Sequence, residues 1–113
     1  MTQYLISFDE GAMAVPEEEL LEVAQAAHEV AKEAKAAGVW VLGGGLKDHK
    51  EASVVSTDGA VTDGLPPEGK GSLGGFAVVD VPSREEALKW AAKIALACRC
   101  AQEVREFMPD PTL

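Results

Sequence analysis

The sequence predicts an α+β fold in which an antiparallel sheet carries two helices on one face. Two observations lead to this prediction. Short segments with the apolar patterns of strands are separated by two long stretches of helical periodicity, in the order β-α-β-β-α-β with an extra short strand after the third. The stretch from residue 73 to residue 97 also contains one sharp strand-to-helix junction. The length of 113 residues fits a single domain, residues 1–113.

The strand before this junction is apolar on both of its alternating faces, from Phe76 to Val81. This pattern is typical of a strand that is covered on both sides, so the strand is predicted to be central. Pro82 lacks the N–H group that a sheet ladder needs. Ser83 and Glu86 have the spacing of a capping box, which predicts that a helix begins here.

The first third of the chain predicts one strand and one long helix. Gln3 to Phe8 alternates as a half-buried strand does. Pro16 and the three glutamates after it suit the first turn of a helix, near the positive end of the helix dipole. The helix is predicted to run to about Ala37, because Gly38 can adopt the left-handed conformation that ends many helices. At about 100° per residue, its buried face is predicted to be Leu20, Val23, Ala24, Ala27, Val30, Ala31 and Ala34.

The remaining elements are shorter. They are a second strand at 39–42, a third at 52–56, an extra strand at 60–62, a loop at about 63–72, a final edge-like strand at 100–108 and a tail at about 109–113. Asp58-Gly59 forms the turn between the third strand and the extra strand. The order of elements matches the ferredoxin-like arrangement.

The predicted sheet has more apolar surface than its own helices can cover. The first, second and central strands carry apolar residues on both faces, and either Trp40 or its neighbours Val39 and Val41 fall on the uncovered side. A bare face of this kind would exceed the apolar patch of a few hundred Å² that soluble monomers usually expose. The sequence therefore predicts a homodimer packed sheet to sheet, with any small-molecule pocket between the sheets or under the loops at their rim.

Composition and charge exclude several classes of function. The net charge is −9 and the pI is about 4.6, so direct binding to nucleic acid is not expected. No apolar run approaches the roughly 20 residues that span a bilayer, and no targeting signal begins the chain. A soluble cytoplasmic protein without membrane contact is predicted.

Two short motifs resemble ligand-binding sites, but neither is predicted to bind a ligand. The sequence therefore predicts no cofactor and no metal. Cys98 and Cys100 are closer together than the cysteines of a zinc knuckle, and they are expected to be small apolar core residues in a reducing compartment. The segment from Gly64 to Lys70 has the letters G-x-x-x-x-G-K of a phosphate loop. Gly71 follows where that motif needs Ser or Thr, so the match is interpreted as accidental.

Four motifs occur in an order and spacing shared with a known family. They are Ala-Gly-Val-Trp-Val-Leu-Gly-Gly-Gly-Leu (37–46), Asp-Gly-Ala-Val-Thr-Asp-Gly (58–64), Leu-Gly-Gly-Phe-Ala-Val-Val-Asp-Val-Pro-Ser-Arg-Glu-Glu-Ala-Leu-Lys-Trp-Ala-Ala (73–92) and Glu-Val-Arg-Glu-Phe (103–107). With these motifs, nearly the whole chain resembles the YCII-related proteins of bacteria, in particular the branch named for a DGPF signature. The signature itself departs here, because Asp63-Gly64 is followed by Leu65-Pro66.

The resemblance implies a dimeric α/β barrel with a ferredoxin-like fold. Most members of the family are uncharacterised, some accompany or are fused to extracytoplasmic-function sigma factors, and a relative is a dehydrochlorinase in chloroaromatic breakdown. In the YCII group, a histidine on the first helix and an aspartate have been proposed as an acid/base pair. The resemblance assigns these roles to His28 and Asp9.

His28 and Asp9 each have two interpretations. His28 lies at the boundary of the apolar stripe, where an imidazole could face a cleft and act as general acid or base, or could simply bond to water or a carbonyl. Asp9 could orient that imidazole, or could be a turn residue bonded to its own backbone. The candidates for lining a pocket are Ser7, Tyr4 and Trp40, and His49 is a further polar candidate.

Three classes of function remain open. The first is a cofactor-independent lyase or isomerase-like enzyme in which His28, with or without Asp9, moves a proton on a small organic substrate inside the dimer. The second is a non-catalytic ligand-binding or regulatory module associated with sigma-factor-dependent transcription. The third is a homo-oligomer whose role is interaction. The fold hosts all three, so the fold does not choose among them.

Overall fold

The structure, a computed structural model, describes residues 1–64 and 72–110. Its elements are β1 (Thr2–Asp9), α1 (Leu20–Ala36), β2 (Trp40–Gly45), β3 (Ser53–Val55), β4 (Val61–Asp63), β5 (Leu73–Val81), α2 (Arg84–Cys98) and β6 (Glu103–Glu106). Short 3-10 helices lie at Glu17–Glu19 and His49–Glu51. Most of the predicted loop at 63–72, most of the segment with phosphate-loop letters, and residues 111–113 fall outside the described residues.

Four strands form one antiparallel sheet in the order β2-β5-β1-β6. This is the ferredoxin-like order, and it confirms that the apolar strand β5 is central and that β6 lies at an edge. The two short strands predicted between β2 and β5 form a separate hairpin, β3–β4, and do not join the sheet. Each of these strands has only three residues, and all of them are exposed, so the hairpin adds no buried surface to the core.

The first helix begins and ends close to the predicted residues. A 3-10 turn after Pro16 leads into α1, and Gly38 has a φ of 75° just beyond the helix end. Val23, Val30 and Ala34 are buried as predicted. The buried stripe is narrower than the periodicity suggested, since the predicted Leu20 and Ala24 are exposed on either side of the buried Val23.

The core lies between the sheet and the two helices. The predicted capping bond is present, since the Glu86 amide donates to Ser83 Oγ at 3.2 Å. The α2 helix ends at Arg99, whose φ is 60°. One cluster of buried side chains fills the space between α2, β1 and β5, and it consists of Tyr4, Ile6, Val79, Val81, Ala87 and Ala91.

A bulge in β2 decides which side of the sheet its two largest side chains occupy. Trp40 is opposite Val79 and Leu42 is opposite Val78, so one extra residue, Val41, lies between the two pairs. The Trp40 ring therefore lies on the helix side, where it crosses Gly43. Leu42 lies on the other side with Val78.

The molecule is a thin two-layer plate. Its extents are 45 × 42 × 18 Å, and its radius of gyration of 15.5 Å exceeds the value of about 13 Å expected for a compact chain of this length. Its accessible surface of 7880 Å² also exceeds the value of about 6,000 Å² expected from its mass. Both helices occupy one face of the sheet, which leaves the opposite face without a helical layer.

Within the described ranges, neither helix has the length and apolar character needed to cross a membrane.

Candidate functional site

The face of the sheet opposite the helices is mainly apolar with a few polar groups. Register places Leu5 opposite Val78 and Ser7 opposite Phe76, and Leu42 also pairs with Val78. We call this set of five residues the open face. Ser7 is the polar member, and it is only 3% exposed.

One end of the open face continues toward a buried carboxylate. Asp80 pairs with Gln3, which places its side chain on the same side of the sheet as the open face. Asp80 Oδ1 is buried and has no hydrogen-bond partner among the described residues. A buried acceptor of this kind is costly unless a ligand, water or partner chain supplies a donor.

A shallow groove lies at the end of β1, and we call it the β1-end groove. It is lined by Ser7, Phe8, Asp9, Ala12 and residues 101–103. Asp9 is exposed at the last position of β1. The groove therefore brings together two of the predicted site residues, Ser7 and Asp9.

His28 lies elsewhere. Its side chain is exposed on α1 and lines a second shallow depression together with Gln25, Glu29, Lys32 and Lys35. Because His28 and Asp9 line different depressions, one chain does not join them in a hydrogen-bonded pair. The proposed roles of both residues remain predictions.

The two aromatic candidates pack on the helix side of the sheet. Tyr4 is buried in the core, and its hydroxyl donates to Glu106 Oε1 at 3.4 Å. Desolvation and the neighbouring Glu106 carboxylate raise the pKa of Tyr4 above its ordinary value. Trp40 is half-buried over Gly43 on the same side. Within one protomer, neither ring lines the open face.

The structure also assembles a group that the sequence analysis did not. His49 Nδ1 lies 2.7 Å from Glu10 Oε1 and 3.3 Å from Asp48 Oδ1. The His49 and Glu10 side chains are only 15% and 23% exposed. We call Glu10, Asp48 and His49 the carboxylate–imidazole cluster.

The sheet order explains why these three residues meet. β1 and β2 both run antiparallel to β5, so they run in the same direction and end at the same edge of the sheet. Glu10 follows β1 directly, and its amide donates to Ser72 O at 2.8 Å. Asp48 and His49 follow β2, and the His49 amide donates to Glu10 Oε2 at 3.1 Å. The sequence did carry a signal for this cluster, namely polar residues that follow two strands ending at the same edge of the sheet.

The two cysteines lie in and beside the end of α2. Cys98 is buried and Cys100 is half-buried, and both are free thiols. Burial raises the pKa of each thiol, with the Cys100 thiol adding to the increase at Cys98. Both side chains are therefore protonated and weakly nucleophilic at neutral pH.

Comparisons with known proteins show the family of this chain and a solved structure with a similar fold. The family model described as the YCII-related domain matches residues 2–109. The fold is similar to that of 5-chloro-2-hydroxyhydroquinone dehydrochlorinase from Burkholderia phenoliruptrix AC1100 in complex with 2,5-dihydroxybenzoquinone. That match has a TM-score of 0.55 and 14% sequence identity, and it covers 99% of this chain and 98% of the other. No curated protein matches the sequence significantly.

Proposed function

Because this chain belongs to the YCII-related domain family, we propose that it is a small-molecule enzyme of the lyase or isomerase type that works as a homodimer. Two copies pair through their open faces and enclose a pocket between the two sheets. The reaction is a proton transfer on a small organic substrate. Both cysteines are free thiols, which supports a cytoplasmic location.

The open face is the observation that carries this proposal. The half-buried Leu5 and Phe76 and the buried Val78 form an apolar strip on two central strands, on the side of the sheet opposite the two helices. Ser7 and the unpartnered Asp80 oxygen provide polar groups at the same surface. A mainly apolar enclosure with a few polar groups is the usual character of a small-molecule site.

The structural neighbour supports a related chemistry. Its name describes removal of hydrogen chloride from a chlorinated, hydroxylated aromatic ring, and its bound ligand is 2,5-dihydroxybenzoquinone. We propose that the pocket of this chain accepts a small oxygenated ring compound of comparable size. Asp9, with Ser7 beside it in the β1-end groove, faces this substrate, and His28 is the second acid/base candidate. The two side chains act separately, because they line different depressions.

The test uses the neighbour's ligand as a probe. The assay measures how fast the ring hydrogens of 2,5-dihydroxybenzoquinone exchange for deuterium, and proton NMR follows this exchange. The exchange requires protonation and deprotonation of a ring carbon. The assay therefore detects proton transfer and needs no assumption about a leaving group. We expect wild-type protein to accelerate this exchange above the buffer rate. Asp9→Asn should lower the acceleration by roughly 10²-fold or more, the typical contribution of one acid/base group.

His28→Ala tests the second acid/base candidate in the same assay, and the exposed Leu96→Ala variant serves as the matched control. Exchange at the buffer rate with wild-type protein would contradict the proposal for this substrate class. Exchange that is unchanged in both the Asp9 and the His28 variants would remove these residues from the mechanism.

The alternative is a non-catalytic ligand-binding or regulatory module, associated with sigma-factor-dependent transcription. The exposure of His28 and its separation from Asp9 favour this alternative. Calorimetric binding of the probe without accelerated exchange would support the module and contradict the enzyme.

A further inference from the structure

We propose that Glu10, Asp48 and His49 bind a divalent transition-metal ion at the sheet edge where β1 and β2 end. This inference goes beyond the proposed function and does not depend on it. The set combines one imidazole nitrogen with carboxylates from two separate segments of the chain, one after β1 and one after β2.

The geometry of the carboxylate–imidazole cluster fits a shared ion. One ligand atom from each of the three residues lies within 4.8 Å of the others, and the two distances from His49 Nδ1 are 2.7 and 3.3 Å. Donor atoms that bind one ion at about 2.0–2.2 Å lie about 3 Å apart in octahedral or tetrahedral coordination. Only small shifts of the Glu10 and His49 side chains are needed to admit an ion between them.

The backbone already orients both carboxylates toward the imidazole. The His49 amide donates to Glu10, and the Lys50 amide donates to Asp48 Oδ1 at 2.9 Å. These bonds fix the acceptors in the way that outer-shell groups orient metal ligands. They also leave lone pairs on both carboxylates directed at Nδ1.

The charges of the cluster favour a cation. Two carboxylates meet within 4.8 Å at one imidazole, and at this separation they repel each other. A divalent ion at this point neutralises both carboxylates and takes one ligand atom from each of the three residues.

The donor set selects the kind of ion. Two carboxylate oxygens and one imidazole nitrogen suit Mn²⁺, Co²⁺ and Zn²⁺ better than Ca²⁺ or Mg²⁺, which prefer oxygen ligands alone. Three protein ligands leave at least one coordination position open, as in catalytic metal sites. Glu10 directly follows Asp9, which lines the β1-end groove.

The experiment titrates the untagged, metal-free protein with Zn²⁺ by calorimetry and with Co²⁺ by visible absorption. We expect one ion per chain and a Co²⁺ spectrum with ligand-field bands. Glu10→Gln, Asp48→Asn and His49→Ala should each weaken binding by at least about tenfold, since each removes one of only three protein ligands. His28→Ala is the matched control, because it removes the other histidine of the chain and should leave the affinity unchanged.

Two results would overturn the metal site. One is the absence of stoichiometric binding to wild-type protein, and the other is equal affinity in the His49→Ala and His28→Ala variants. If His49→Ala does not fold, Mn²⁺ provides a test on wild-type protein, because it broadens the NMR signals of nearby nuclei. Broadening centred on residues 10, 48 and 49 supports the site, and broadening elsewhere or spread evenly over the acidic surface contradicts it.

Discussion

The indole ring of Trp40 lies across Gly43, three residues later on the same strand. A Cβ atom at Gly43 would lie 2.8 Å from Trp40 Cη2 and 2.7 Å from the carbonyl oxygen of Phe76. The first of these atoms belongs to a large packed ring and the second to the backbone of the neighbouring strand. Neither can yield without disturbing the pairing of β2 with β5.

Gly43→Ala should therefore destabilise the fold by about 1–3 kcal/mol, the usual cost of overpacking. Gly44→Ala is the matched control on the same strand, because a Cβ at Gly44 has no atom within 4 Å among the described residues. Urea unfolding of both variants measures the difference. Equal stabilities would show that the ring does not lie across Gly43.

Leu42→Glu should convert the proposed dimer to a monomer. Leu42 lies on the open face and is 50% exposed, so a glutamate costs little in the single chain but would place a charge between the sheets of the proposed dimer. Leu96→Glu makes the same change on α2, at a residue that is 83% exposed. Light scattering should give twice the chain mass for wild type and Leu96→Glu, and the chain mass for Leu42→Glu. A monomeric wild-type protein at micromolar concentration would exclude the proposed assembly.

Ser83→Ala should lower the free energy of unfolding by about 1 kcal/mol, because it removes the oxygen that accepts from the Glu86 amide at the start of α2. Thr57→Ala, at an exposed position in the turn of the β3–β4 hairpin, serves as the comparison and should change stability little. Chemical denaturation measures both. A loss at Thr57 as large as the loss at Ser83 would argue against the cap.

The two thiols should react slowly with alkylating reagents. Only the thiolate is nucleophilic, and burial raises both pKa values, so at pH 8 each folded thiol carries less thiolate than an exposed cysteine. Cys100→Ala isolates Cys98, and Cys98→Ala isolates Cys100. The buried Cys98 should react more slowly, and both rates should keep rising above the pH at which an exposed thiol reaches its plateau. Rates equal to those of the unfolded chain would contradict this prediction.

The pattern of apolar residues predicted the sheet and its central strand. A strand that is covered on both faces needs apolar residues on both, and the residues from Phe76 to Val81 show this pattern. The start of α2 was equally readable from Ser83 and Glu86. The sides occupied by Trp40 and Leu42 could not be predicted. They depend on a bulge at Val41, and one extra residue reverses every later side chain of the strand.

The candidate site was only partly predictable for a similar reason. Ser7 and Asp9 lie near each other because they are neighbours on one strand. The contact between Glu10 and His49 joins residues 39 positions apart, and it requires the tertiary arrangement of β1, β5 and β2. The role of His28 came from a family resemblance and its position from helical periodicity, which gives a direction around α1 but not what surrounds it.

The β3–β4 hairpin is closed at its base, since the Gly64 amide donates to Ala52 O. The ladder runs from Ser53 opposite Asp63 to Val55 opposite Val61, so the two ends of the hairpin lie side by side. Segments anchored in this way can gain or lose residues at the tip near Asp58 without changing the spacing of their ends. The β3–β4 hairpin is therefore the natural place on the chain to graft an epitope or a fluorescent reporter.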